Sequence, residues 1–113
     1  MQTFTLTTPD EFDALLADHE LVLVDFFKDN CPGCKMLDMA LKRFAAGELA
    51  DSVALVKVQL EVVGEEFFHR HSLRQTPTLL LFRSGEEVGR LTGFNPPEKI
   101  EALVAAHLES SAV

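Results

Sequence analysis

Tryptophan and tyrosine are missing from this chain, and cysteine occurs only twice. The first absence removes the usual fluorescence readout of folding and redox state. Two cysteines cannot supply the multi-bridge scaffold of small secreted proteins. Basic residues are also few: 10 Lys and Arg stand against 18 Asp and Glu, for a formal charge of −8. An acidic surface repels phosphate backbones, which disfavours nucleic acid as a partner, and the charge reads as a solubilising one. No apolar run approaches the ~18 residues of a membrane helix. The opening Met1-Gln2-Thr3-Phe4-Thr5 has neither the basic nor the apolar region of a signal peptide. No basic stripe, internal repeat or low-complexity tract is present. These absences lead to the expectation of a cytoplasmic protein without a membrane span. The chain is 47% hydrophobic over 113 residues, enough for a core of its own, so residues 1–113 are expected to form a single domain.

Periodicity divides the chain into alternating elements. Residues 3–6 suit a short strand. Thr8-Pro9-Asp10-Glu11 carries an N-cap, a proline at the first helical position and a capping-box acid, with Phe12, Leu15 and Leu16 following at helical spacing, so a helix is predicted over 9–18. Leu21–Phe27 is apolar on both faces, as in a central parallel strand. Met36, Leu37, Ala40, Leu41, Phe44 and Ala45 then predict a helix running to about Gly47. Val53–Val58 is a second strand, Glu65–His71 a short helix and Thr78–Phe82 a third buried strand. The glycine turn at Arg83-Ser84-Gly85-Glu86 and the run Val88–Thr92 predict an antiparallel hairpin. Asn95-Pro96-Pro97-Glu98 opens a last helix with Ile100, Leu103, Val104 and Leu108 on its apolar stripe. The order β-α-β-α-β-α-β-β-α predicts an α/β fold: a central mixed sheet with helices on both faces. Phe4, Phe12, Phe26, Phe44 and Phe82 are assigned to the core, Met36 and Met39 to the core side of their helix, and His19 and His107 to the surface.

Both cysteines lie in Asp29-Asn30-Cys31-Pro32-Gly33-Cys34-Lys35, directly after the apolar strand. In open α/β sheets the carboxyl ends of the strands are where function sits. At a helix start, residues i and i+3 lie one turn apart on one face, within the Cα separation of about 4.4–6.8 Å that a disulfide tolerates. Free N–H groups and the positive end of the dipole favour thiolate over thiol there. Cys31, at the more exposed position, is the predicted nucleophile and Cys34 the resolving thiol, in exchange through a mixed disulfide. Pro32 suits the first turn, while Gly33 disfavours helix by about 1 kcal/mol relative to Ala. A zinc or iron–sulfur half-site is the competing reading, but such sites need a second ligand pair. His69 and His71 at i,i+2 face different ways, so no metal is expected. Asp25 interrupts the apolar strand. A buried carboxylate there stays protonated or finds a partner; a surface-end Asp with Lys57 solvated is the alternative. Lys35 either adds positive charge near the thiols or is solvated.

In this order, Val24-Asp25-Phe26-Phe27, Cys31-Pro32-Gly33-Cys34-Lys35-Met36, Val56-Lys57-Val58, Thr76-Pro77-Thr78 and Gly93 resemble the thioredoxin family over nearly the whole chain. The resemblance implies the thioredoxin fold and reduction of protein disulfides through a redox-active Cys31–Cys34 pair, with no bound cofactor. It implies a proton-transfer role for Asp25 beside Lys57, a cis bond at Thr76-Pro77 whose backbone pairs with the substrate chain, and space for that chain at Gly93. Disulfide-containing protein substrates, a thioredoxin reductase as electron donor and a monomer working in cell redox homeostasis follow from it. The chain departs from the family pattern at Pro32-Gly33, usually Gly-Pro, and at Asn30 and Phe27, both usually Trp. Met39 replaces a helix-kinking Pro, and Thr76 a common Ile. These bear on potential and partner choice. A glutaredoxin- or isomerase-like oxidoreductase with a less reducing couple, or a non-redox protein-docking module, are the alternatives.

Overall fold

The computed structural model describes residues 1–108, in which five strands form one sheet between two layers of helices. Strand β1 (Thr3–Thr5) is followed by a 3-10 turn (Pro9–Glu11) and α1 (Phe12–Asp18). Then come β2 (Leu21–Phe27), α2 (Pro32–Ala45), a second 3-10 turn (Ala50–Ser52) and β3 (Ala54–Gln59). The chain continues through α3 (Leu60–Val63), α4 (Glu65–Arg70), β4 (Thr78–Arg83), β5 (Glu86–Thr92) and α5 (Pro97–Leu108). The strands lie in the order β1-β3-β2-β4-β5. β3 runs parallel to both β1 and β2, whereas β4 is antiparallel to β2 and β5. No helix of the described residues is long and apolar enough to cross a membrane.

The predicted element order holds with three changes, one of them the 3-10 turn Ala50–Ser52 between α2 and β3. The helix expected over 9–18 begins as a 3-10 turn, capped by the Glu11 carboxylate, which accepts the amide protons of Thr7 and Thr8 at 2.9 and 3.0 Å. An additional short helix, α3, follows β3 directly and is separated from α4 by Gly64 at φ +90°. Four residues are too few for a periodic pattern to show in a sequence.

Strand alternation decides what lies where. Side chains on a strand face opposite sides with period two. Val22, Val24 and Phe26 of β2 join Val56, Val58, Leu80 and Phe82 against the layer of α1 and α4. Leu21 and Leu23 join Leu55, Leu79 and Leu81 against α2 and α5, where Leu37, Leu41, Phe44, Ile100 and Val104 fill the other core. By the same alternation Asp25 and Lys57, partners in the β2–β3 register, belong to the α2 face.

On the opposite face, the His71 imidazole is half-buried among phenylalanines. Its ring centroid lies 5.1 Å from Phe12, 5.5 Å from Phe26, 4.9 Å from Phe67 and 6.3 Å from Phe82. Burial, helped by the neighbouring Arg70 cation, holds its pKa below the usual histidine value.

Several side-chain placements differ from expectation. Met36 and Met39 are not core residues: they are 50% and 65% exposed. The buried stripe of α2 is Cys34, Leu37, Ala40, Leu41 and Phe44; on the helical wheel Met36 lies about 100° and Met39 about 160° from the centre of that stripe. They form instead a shallow apolar groove with Ala40, Arg43, Phe94 and Pro97. Ala45 is likewise exposed, and Phe4, on the edge strand β1, is only partly buried. His19 and His107 are half-buried rather than on the surface. His19 packs on the Phe4 ring at 5.3 Å, and His107 Nδ1 lies 2.9 Å from the Leu103 carbonyl oxygen.

The β4–β5 hairpin turns at Ser84 and Gly85, both in left-handed backbone (φ +50° and +85°). This two-residue turn matches the right-handed twist of the strands. Beyond a register irregularity between Leu81 and Phe82, Gly89 lies beneath α5. A Cβ added at Gly89 collides with Leu103 Cδ1 and comes within 3.8 Å of His107 Cε1. Gly89→Ala is therefore expected to lower stability by about 1–3 kcal/mol, the usual range for overpacking, read as a reduced midpoint in chemical denaturation. An unchanged midpoint would mean that Leu103 rotates aside freely.

Candidate functional site

The end of β2 delivers the chain to the first turn of α2 through Lys28-Asp29-Asn30. Asn30 adopts φ +55°, a region that asparagine tolerates better than most residues. The Asp29 amide donates to both Glu61 carboxylate oxygens at 3.3 Å, so α3 braces this loop. Cys31 is the N-cap of α2 and Pro32 its first residue, where a missing N–H leaves no hydrogen bond unmade.

Cys31 and Cys34 form a disulfide with their Cα atoms 5.2 Å apart. The Cys34 amide donates to Cys31 Sγ at 3.2 Å, and Thr76 Oγ1 lies 3.7 Å from the same sulfur. Both cysteines are only 7% exposed. The expected difference in exposure is thus absent in the disulfide form, in which each sulfur is turned onto the other. What distinguishes Cys31 is its place at the helix terminus, where free amides stabilise negative charge.

The Thr76–Pro77 peptide is cis. Pro77 packs against Gly33, where an added Cβ lies 3.2 Å from the Pro77 Cδ; glycine at this point lets the helix approach the β4 entrance. The Gly93 amide donates to the Pro77 carbonyl at 2.8 Å. Gly93 itself is at φ +76°, and a Cβ there meets the Gln75 side chain at 3.2 Å. Pro32, Gly33, Thr76, Pro77 and Gly93, scattered over 62 positions of sequence, thus converge on one side of the disulfide.

On the other side a cleft of about 420 Å³ is walled by Asp25, Phe27, Cys31, Cys34, Lys35, Asp38 and Lys57, among others. Asp25 is 2% exposed, which disposes of the surface-end alternative. Its Oδ1 is buried and meets no hydrogen-bond donor among the described residues. Burial pushes its pKa up from 3.8 to about 7; the Lys57 charge opposes that rise and the Asp38 charge adds to it. Lys57 pairs instead with Asp38, Nζ to Oδ1 at 2.8 Å, and its ammonium stands 5.2 Å from the Phe27 ring centroid.

Asp38 and Glu61 did not emerge from sequence. Asp38 had a usable signal: it is four residues after Cys34 and so shares its helix face. Glu61 contacts Asp29 across 32 positions and had none. Of the histidines weighed as metal ligands, His71 is turned into the phenylalanine cluster and His69 lines a separate groove beside Thr76.

The family model described as Thioredoxin matches residues 3–106. The chain belongs to the thioredoxin family. Thioredoxin-2 of Pyricularia oryzae is 33% identical over 111 residues, covering 98% of this chain and 63% of that protein. Thioredoxin of Alicyclobacillus acidocaldarius is 35% identical over 107 residues, covering 95% and 99%. The chain thus spans less than two thirds of the fungal thioredoxin and nearly all of the bacterial one. Among solved structures, Fasciola hepatica thioredoxin superposes with a TM-score of 0.79 at 27% identity, covering 95% of this chain and 99% of that one. Membership, together with the Cys31–Cys34 bridge, makes the chain a thiol–disulfide oxidoreductase of the thioredoxin type. The departures from the family pattern now have surroundings: Phe27 offers its ring to Lys57, Thr76 puts a hydroxyl beside the Cys31 sulfur, and Met39 continues α2 unbroken.

Proposed function

We propose that the protein reduces disulfides in other proteins, with residues 1–113 acting as one domain and as a monomer in the cytoplasm. The Cys31 thiolate attacks one sulfur of the target disulfide. A Cys31–target bond forms as the target S–S bond breaks, and the displaced target sulfur leaves as a thiolate. Asp25 then accepts the Cys34 proton, and the Cys34 thiolate attacks Cys31 Sγ. The second target sulfur is released, and the Cys31–Cys34 disulfide holds the oxidising equivalents. Two electrons have passed from the dithiol to the substrate, and no bound cofactor takes part. A thioredoxin reductase or an equivalent donor returns the two electrons.

The observation that supports this reading best is the position of Asp25: a buried carboxyl, without a hydrogen-bond donor on Oδ1 among the described residues, in the wall of the same cleft as Cys34. With a pKa pushed up to about 7, it can both take and return a proton near neutral pH, the property a general acid–base needs. Lys57 modulates its charge. Thr76, Pro77 and Gly93 form the track for the substrate backbone, and Pro32-Gly33 sets the first turn beside it.

Equilibration with dithiothreitol couples, with free thiols counted by alkylation mass, tests the proposal. A two-electron transition near the thioredoxin value of about −270 mV is expected. A potential well above about −200 mV would instead assign an oxidising or isomerase-like role, and the lack of any transition would leave the metal and docking readings.

A further inference from the structure

The strand register sets Lys57 directly beside Asp25, yet the ion pair that forms is to a third residue. Asp25 and Lys57 are register partners on β2 and β3, and both face α2. Lys57 Nζ nevertheless lies 2.8 Å from Asp38 Oδ1, while Asp25 Oδ1 has no donor among the described residues. The other Asp38 oxygen, Oδ2, is held 3.4 Å from Lys42 Nζ, one turn along α2. The Lys57 stem therefore leans out of the sheet toward the helix, with its ammonium also over the Phe27 ring.

We propose that Asp38 is a positioning residue of the thiol site, capturing the Lys57 ammonium and so withholding from Asp25 the counter-charge that the sheet register offers it. This rests on Asp25 being the proton carrier of the exchange. An ammonium within about 4–6 Å of a carboxylate favours the charged form. A Lys57 free to fall back onto Asp25 would turn the acid into a permanent anion and take it out of proton transfer near neutral pH. Asp38 prevents this in two ways: it competes for the cation, and it presents its own negative charge to Asp25. The direction of the Asp25 displacement agrees, since Lys57 lowers it and Asp38 raises it. The hydrogen bond from Lys57, in turn, keeps Asp38 itself ionised below the usual carboxylate range. The other charged groups lining the cleft are Lys28 and Asp29 of the β2–α2 loop and Lys35 of α2. β4 brings only Leu79 opposite Asp25.

The test is the titration of the Asp25 carboxyl followed by carbon NMR in the disulfide form, where neither cysteine titrates. Asp38→Asn is expected to lower the midpoint by about one pH unit or more, and Asp38→Glu to restore it. In a Lys57→Met background the Asp38→Asn shift is expected to shrink to the residue left by the direct charge of Asp38. An Asp38→Asn shift of the same size with and without Lys57 would overturn the proposal, as would no shift at all. Asp38 is partly exposed on the helix, so its variants are expected to fold. The pH profile of disulfide reduction separates the two layers of the reading. If the Asp25 midpoint moves as expected while the profile stays put, the positioning by Asp38 stands and the proton-transfer role of Asp25 fails.

Discussion

Replacing Cys34 by serine is expected to leave the protein covalently joined to its substrate and to end turnover. Pre-reduced Cys34→Ser protein, mixed with a disulfide-containing protein without added thiol, retains Cys31 at the N-cap of α2. Cys31 there still attacks, because the helix terminus and the amide at position 34 remain to stabilise its charge. What is lost is the second thiol, one turn away, which alone is placed to attack Cys31 Sγ from within the molecule. The mixed disulfide should therefore accumulate in one-to-one proportion, visible as a conjugate by mass and lost on reduction. Cys31→Ser, by contrast, should give no conjugate, since Cys34 sits inside the first turn of α2 and not at its N-terminal end, away from the free amides that stabilise a thiolate. A Cys34→Ser variant that released product without external thiol would show that the two thiol roles are assigned wrongly.

The second large effect concerns stability. Asp25 has a folded-state pKa raised from 3.8 to about 7, so the native protein binds a proton more tightly than the unfolded chain does. Below pH ~4 both states carry the proton and the residue contributes no pH-dependent term. Between about pH 4 and 7 the unfolded state ionises first and native stability falls as pH rises. Above pH ~7 the loss is complete. At about 1.36 kcal/mol per pH unit of displacement, it amounts to about 4 kcal/mol. Removing the carboxyl removes this dependence. Relative to the parent, Asp25→Ala is expected to gain about 4 kcal/mol between pH 4 and pH 8, whatever constant offset the truncation itself introduces. Chemical denaturation of the disulfide form at the two pH values measures this directly. A parent-to-variant difference independent of pH would mean that Asp25 ionises like an ordinary surface acid. The same substitution should slow resolution near neutral pH, so a gain in stability and a loss in rate are expected from one change.

Much of this arrangement was legible before any coordinates. The apolar run from Leu21 to Phe27 marks a strand buried on both faces, and the alternation of side chains along any strand sends Asp25 to the same face as Leu21 and Leu23. Thr8, Pro9 and Glu11 announce a helix start by their chemistry. The spacing of Cys31 and Cys34 marks a bridge on a first turn. What remained hidden depends on contacts remote in sequence or on fine angles. Strand register, not pattern, brings Lys57 level with Asp25. Whether that lysine turns to Asp25 or to Asp38 depends on a contact made across 19 positions of sequence. Met36 and Met39 were misplaced because an apolar side chain near helical spacing reads as core, while a displacement of about 100° or more on the helical wheel is enough to expose it. Glu61 reaches the Asp29 amide only because α3 follows β3 at once, and a four-residue helix has no periodicity to betray it.

The phenylalanine enclosure of His71 offers a way to watch a protein that lacks tryptophan and tyrosine. Four aromatic rings around one imidazole superpose their magnetic anisotropies on its carbon-bound protons. Those protons should resonate well away from their positions in a solvent-exposed histidine. Phe26 is one of the four rings and is the chain neighbour of Asp25, projecting to the opposite side of β2. A single pair of histidine signals would thus report, without any label, whether a change made on the thiol side of the sheet has been felt on the other.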